Sequence, residues 1–249
     1  MSDFVEVIDN NNDNLSQANT SKFTSKVFGY MGIGLAITAI VTLLMSIIFT
    51  SFLDIAYDDN LIIYLGVLIT SLVVLLITSI WIRVSSFFKK GRAVVVPFVL
   101  YAVAMGVMLS SLTMFVPGYI IAITLGITTT TFFVMFLIGY FAKSNLSTVA
   151  IVASGLVTGA FMIILMNLII MWFFPVYATM ATWLASGIIF IAMMLFTIVD
   201  IRNVRTIAES GLASPNLALY CAFNLYVDFI YMFIRILRIV IIIFGNNRR

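Results

Sequence analysis

Apolar residues run along this chain in long blocks, without the alternation of a half-buried strand. Seven blocks of spanning length follow one another, at 27–52, 61–82, 93–115, 119–142, 147–172, 177–199 and 217–244. A helical crossing of a bilayer needs about 20 mostly apolar residues, and every block reaches that length. None shows the ten-residue alternation of barrel strands, so helices are predicted, with each backbone group bonded inside its own segment. Pro117, Pro175 and Pro215 fall in the predicted connections. Pro97 falls in the first turn of the third block, where the missing N–H is an orphan donor anyway. Residues 1–25, "MSDFVEVIDNNNDNLSQANTSKFTS", are polar, acidic and rich in Asn and Ser, and read as a disordered tail. A secretory signal would begin basic and turn apolar. The predicted organisation is the tail at 1–25, a seven-helix domain at 26–245 and a short basic tail at 246–249.

Composition agrees with the pattern. Of 249 residues, 63% are hydrophobic and 9% charged, whereas soluble domains carry roughly a quarter charged. The fold class is therefore an all-α integral membrane protein with seven transmembrane helices. The net charge of +3 matters less than where the cations fall. Lys22 and Lys26 precede the first block, and Arg83, Lys89, Lys90 and Arg92 occupy the second connection. Lys143 lies in the fourth connection, and Arg202 and Arg205 lie in the sixth. The first, third and fifth connections hold no Lys or Arg, and the first carries Asp54, Asp58 and Asp59. This alternation places the N-terminus in the cytoplasm. Seven crossings then put Arg248 and Arg249 outside, against the same rule.

The chain has no histidine, which excludes His-based metal sites, Ser-His catalysis and the usual switch near pH ~6.5. The single cysteine, Cys221, allows no intrachain disulfide and reads as a small packed hydrophobe. Small residues mark expected helix contacts: Gly29, Gly32, Gly34 and Ala36 in the first block, and Gly155 with Gly159 at GxxxG spacing in the fifth. Thr128–Thr131 either line a polar path or bond their own helix carbonyls, the commoner outcome.

Three acids lie on the later helices. Glu209 sits in a polar connection and reads as solvated, whereas Asp200 closes the sixth block in "LFTIVDIRNV". Asp228, in "LYVDFIYMFIRILRIVIIIF", lies roughly 17 Å into the seventh at 1.5 Å per residue. The two depths match better if the sixth helix continues past Arg202 and the start of the seventh lies in the interface. A carboxylate inside a span is a functional candidate by default. Two carboxylates at close range in a low dielectric share a proton, and once deprotonated they offer hard oxygen ligands suited to Ca²⁺. The plainer readings are that Asp200 caps its helix or pairs with Arg202 or Arg205, and that Asp228 is a structural partner of Arg235. Arg235 stands seven residues on, on the same face and about 10 Å away. Arg238 reads as snorkelling outward.

Four stretches, "SKVFGYMGIGLAITAIV", "IGYFAKSNLS", "LFTIVDIRNV" and "ALYCAFNLYVDFIYMFIRILRI", together resemble the transmembrane Bax inhibitor motif family. The likeness covers nearly everything after residue 22, and the last stretch is the most specific. Asn145 stands where an Asp is common in the family. The resemblance implies six helices around a central C-terminal seventh, in the inner (plasma) membrane of a bacterium. It also implies a pH-sensitive calcium leak channel whose sensor pairs an aspartate of the sixth helix with one of the seventh. Here these are Asp200 and Asp228, which serve as both pH sensor and metal ligands. Arg83, in "SIWIRVSS", matches a basic residue that latches onto the pair; read alone, it is an interfacial anchor beside Trp81. The second block lacks the acid some relatives carry, so the resemblance does not carry over a further cation site or proton step there. Arg235 stands where many relatives are uncharged, and is expected to modulate Asp228.

Two other functions compete. A non-conducting regulator would act through unknown protein partners at the acidic tail or the GxxxG surface. An intramembrane aspartyl protease also uses two aspartates on successive helices, but neither Asp200 nor Asp228 lies in a Gly-x-Gly-Asp sequence and no Pro-Ala-Leu triplet is present. An enzyme is not expected, nor is a cofactor beyond Ca²⁺ as the transported or bound ion. The expected partners are the lipid bilayer and calcium, and not nucleic acid.

Overall fold

The computed structural model describes residues 2–53, 59–86, 94–142, 146–173, 175–210 and 214–246. The acids and bases expected in the first, second and fourth connections lie outside them, apart from Asp59 and Arg83, as do Asn145, Arg248 and Arg249. Seven helices follow in order: α1 (Ser2–Leu53), α2 (Asp59–Ser86), α3 (Val95–Phe115), α4 (Gly118–Phe141), α5 (Ser147–Phe173), α6 (Pro175–Glu209) and α7 (Pro215–Asn246). No strand occurs among the described residues. Pro175 and Pro215 open α6 and α7, where no intrahelical donor is lost. The helix of α1 begins at Ser2, so the stretch read from composition as a tail is continuous helical backbone with the first span. Extending a formed helix adds one bond per residue fixed, without a new nucleus.

Six helices contain a segment long and apolar enough to cross a membrane, by length and composition: Thr20–Ser51, Tyr64–Ser85, Val95–Thr113, Gly118–Phe141, Ser147–Met166 and Thr182–Glu209. Helix α7 has the length, at 32 residues, but carries Asp228, Arg235 and Arg238 in its central stretch. It is buried along most of its course from Asn216 to Val240. By contrast, only 11% of the α5 span is buried.

The chain divides into two compact units, one of Met1–Ile123 with Val204–Tyr226, the other of Thr124–Asn203 with Val227–Arg249. In the first, α3 packs on both α1 and α2. Glycine lets the α1 and α3 backbones approach: a Cβ on Gly106 would lie 2.8 Å from the Thr38 carbonyl oxygen and 2.7 Å from Val41 Cβ. Two hydroxyls one turn apart on α1 then donate to α3 carbonyls one turn apart, Thr38 to Ala102 at 3.0 Å and Thr42 to Gly106 at 3.1 Å. Close backbones joined by hydroxyl bonds are how helices associate when lipid removes the hydrophobic drive. The Tyr226 ring, fully buried, meets Phe98 and Tyr101 edge-on at 5.6 and 6.0 Å.

In the second unit, Gly139 of α4 plays the same part against α6, since a Cβ there would lie 2.7 Å from the Ile198 carbonyl oxygen. Phe132 of α4 packs edge-on against Phe229 of α7 at 5.5 Å. The glycines expected to mark contacts divide. A Cβ on Gly34 would meet the Phe98 ring at 2.7 Å, but at Gly29, Gly32, Gly155 and Gly159 it would meet nothing within 4 Å. The GxxxG pair of α5 therefore faces open space. Thr128 to Thr131 each donate to the carbonyl four residues back, at 2.8–2.9 Å, so their hydroxyls are satisfied locally.

Candidate functional site

Asp200 and Asp228 both belong to the second unit. The sixth helix runs ten residues beyond the predicted boundary, to Glu209. Asp200 is thus an interior residue of α6 and not its cap. It lies about 14 Å from the end of α6, and Asp228 lies about 20 Å from the start of α7. The two depths still differ by roughly one turn, which narrows the mismatch in the sequence-based spans without closing it. Asp200 is the ionisable group that acts electrostatically on Asp228.

A third side chain completes the site. Thr197, fully buried three residues before Asp200, is the hydrogen-bonding side chain for the Asp228 carboxyl. The Thr197 hydroxyl also donates to the Met193 carbonyl at 2.9 Å. A hydroxyl has one proton and two lone pairs. It can donate to a carboxylate or accept from a carboxylic acid, so Thr197 is a partner for Asp228 in either protonation state. The other oxygen of Asp228, Oδ2, is buried with no hydrogen-bond partner. A carboxyl left this way in a tightly packed interior is a place for a proton or a cation, since an unmatched buried oxygen is expensive. The spacing Thr197–Asp200 puts both on one α6 face, so "TIVD" carried the signal in the sequence.

The other predicted residues are placed as follows. Arg205 contacts Glu209 at 2.6 Å, an exposed i, i+4 pair, so Glu209 is paired and not merely solvated. Arg235 is half-buried, and among the described residues no ion pair joins it to Asp228; the charge acting on it is Arg238. Arg238 is exposed as expected, with its guanidinium 5.7 Å from the Trp183 ring. Arg83 lies exposed in the last turn of α2, in the first unit, beside half-exposed Trp81. Cys221 is buried and, as the one cysteine of the chain, forms no intrachain disulfide.

No group of three or more His, Cys, Asp or Glu converges among the described residues. Ca²⁺ takes six to eight oxygens. An ion between Asp200 and Asp228 would therefore need hydroxyl, carbonyl or water oxygens beside the two carboxylates.

Comparison with known proteins places this geometry in context. The family model described as "Inhibitor of apoptosis-promoting Bax1" matches residues 20–249. The inner membrane protein YbhL of Escherichia coli K12 is 27% identical over 93% of this chain and 94% of its own. An uncharacterized protein of Borreliella burgdorferi is 29% identical over 88% and 90%, and the uncharacterized protein YrjE of Lactococcus lactis is 26% identical over 99% and 100%. No solved structure matches.

Proposed function

This chain belongs to the Bax inhibitor-like transmembrane family, and from that premise we propose that it is a pH-sensitive calcium leak channel of the inner membrane, gated at Asp200 and Asp228. The observation that carries the reading is the buried, unpartnered Oδ2 of Asp228 beside a second carboxylate on α6. The groups that face it are Asp200 and Thr197 from α6, with Phe132 of α4 packed one residue away on Phe229. Arg235, two turns along α7, is the nearest cation on its own helix.

In the deprotonated state the two carboxylates attract a divalent cation into the span. A shared proton cancels part of that charge, and the Asp228 carboxyl turns to donate to Thr197. Changing pH thus changes both the affinity for Ca²⁺ and the contact between α6 and α7 inside the second unit.

The test is Ca²⁺ entry into liposomes that hold only this protein, measured across the physiological range from about pH 6 to about pH 8. The expected result is a flux that changes with pH and loses that dependence in both Asp200→Asn and Asp228→Asn. A normal pH response in both variants refutes the gate. No flux at any pH refutes the channel and favours a regulator that works through protein partners.

A further inference from the structure

The first unit contains a cleft of about 360 Å³ between α1, α3 and the start of α7. Helix α1 lends Tyr30, Ile33 and Ile37, α3 lends Val95 and Val99, and α7 lends Pro215. Its volume lies in the range of small-molecule sites, yet Tyr30 supplies the only side-chain polar group on its walls. The Phe98 ring lines it beside Gly34, where a Cβ would come within 2.7 Å of the ring. A polar solute finds no partners there, and an apolar occupant fits.

What lies at one end identifies that occupant. Lys22, Lys26, Tyr30, Ile33 and Ile37 follow one another at spacings of four, four, three and four, so they form one stripe of α1. The apolar half of the stripe is the cleft wall, and the basic half continues it toward the N-terminus. Helical side chains lean toward the N-terminus, and lysine heads reach for the interface. Both lysines are exposed, and neither has an ion pair among the described residues. Helices α3 and α7 also begin at the cleft, with Val95 and Pro215 in their first turns. The wall from Tyr30 to Ile37 is roughly 10 Å long, about two-thirds of one leaflet's hydrocarbon depth.

We propose that this cleft is a binding site for one anionic glycerophospholipid. One acyl chain lies against Tyr30, Ile33, Ile37 and Val99, and the phosphate sits over Lys26 and Lys22. The charge complementarity at a single end fixes the orientation of the lipid, with its headgroup beside Lys26 and Lys22 of α1 and the N-terminal ends of α3 and α7. The site is independent of Asp200 and Asp228, which belong to the other unit.

The test uses the full chain in liposomes containing phosphatidylglycerol with a photoactivatable group on the acyl chain, with crosslinks mapped by mass spectrometry. Label is expected to concentrate on 30–37 and 95–102, several-fold above 151–166 of lipid-exposed α5. Val99→Trp, which fills the cleft from its rim, should abolish that excess, whereas Val96→Trp on the exposed face of α3 should not. Lys22→Gln with Lys26→Gln should lower the preference for phosphatidylglycerol over phosphatidylcholine by up to roughly 25-fold. Both lysines are exposed, so this pair decides the matter if Val99→Trp fails to fold. Label spread evenly over α1, α3 and α5, or equal labelling by the two lipids in the unsubstituted protein, would overturn the proposal.

Discussion

Thr38 and Tyr226 give a quantitative test of the packing in the first unit. Thr38 Oγ1 lies 2.6 Å from the Tyr226 hydroxyl and 3.0 Å from each of the Gly34 and Ala102 carbonyl oxygens. Carbonyls cannot donate, so the Thr38 proton is shared between them and Tyr226 must donate to Thr38. The two single substitutions are then unequal. Tyr226→Phe removes one bond and leaves the Thr38 proton satisfied, which costs about 0.5–1 kcal/mol. Thr38→Val strands a fully buried phenol and withdraws a donor from Ala102 on α3, which costs about 1–3 kcal/mol. In the double variant no phenol is left to strand, so its cost should fall below the sum of the singles by about 1 kcal/mol. Reversible unfolding in mixed detergent micelles, followed by circular dichroism, measures all four proteins. If Tyr226→Phe costs as much as Thr38→Val, or if the two costs simply add, the donor assignment is wrong.

Thr197→Val should move the pH midpoint of Ca²⁺ flux by about half a unit or more, equivalent to ~1 kcal/mol for a lost bond, whereas Thr197→Ser should hold it in place; identical midpoints would remove Thr197 from the site. Gly106→Ala and Gly139→Ala should each destabilise by about 1–3 kcal/mol in the same unfolding assay, because a backbone carbonyl stands in the way. Gly155→Ala and Gly159→Ala should be neutral or slightly stabilising, since their Cβ atoms enter open space. Glu209→Gln should change stability by less than about 0.5 kcal/mol, because its pairing with Arg205 is exposed.

The seven helices were legible because each apolar block is long and bounded by polar or proline-containing connections, and six of them hold a segment long and apolar enough to cross a membrane. The end of α6 was not, because Asp200, Arg202 and Arg205 read like the close of a span. Helix continuation to Glu209 is fixed by packing: Ile201, Val204 and Ala208 are buried on that extension at helical spacing. The pair of acids was legible as chemistry, since carboxylates are rare in spans. Thr197 was missed because a threonine in a helix so often serves its own backbone, as Thr129 to Thr131 do. Gly155 and Gly159 show the limit of a spacing rule: the same small residues that permit a contact do not create one. Gly106 and Gly139 make the close contacts, and neither has a partner glycine to announce it.

The charged centre of α7 bears on how the protein is made. Between 225 and 244, fourteen Leu, Ile, Val and Phe residues favour transfer into lipid by about 4–8 kcal/mol in all, while Asp228, Arg235 and Arg238 oppose it by up to about 8–10. The segment therefore gains nothing by entering a bilayer alone. Synthesis runs from the N-terminus, so the six apolar helices leave the ribosome first and can be lodged in the membrane before α7 emerges. The last helix then enters among protein neighbours, where Thr197 and Phe132 already wait. A chain cut short before α7 should still reach the membrane, while a fusion of α7 by itself should stay out of it.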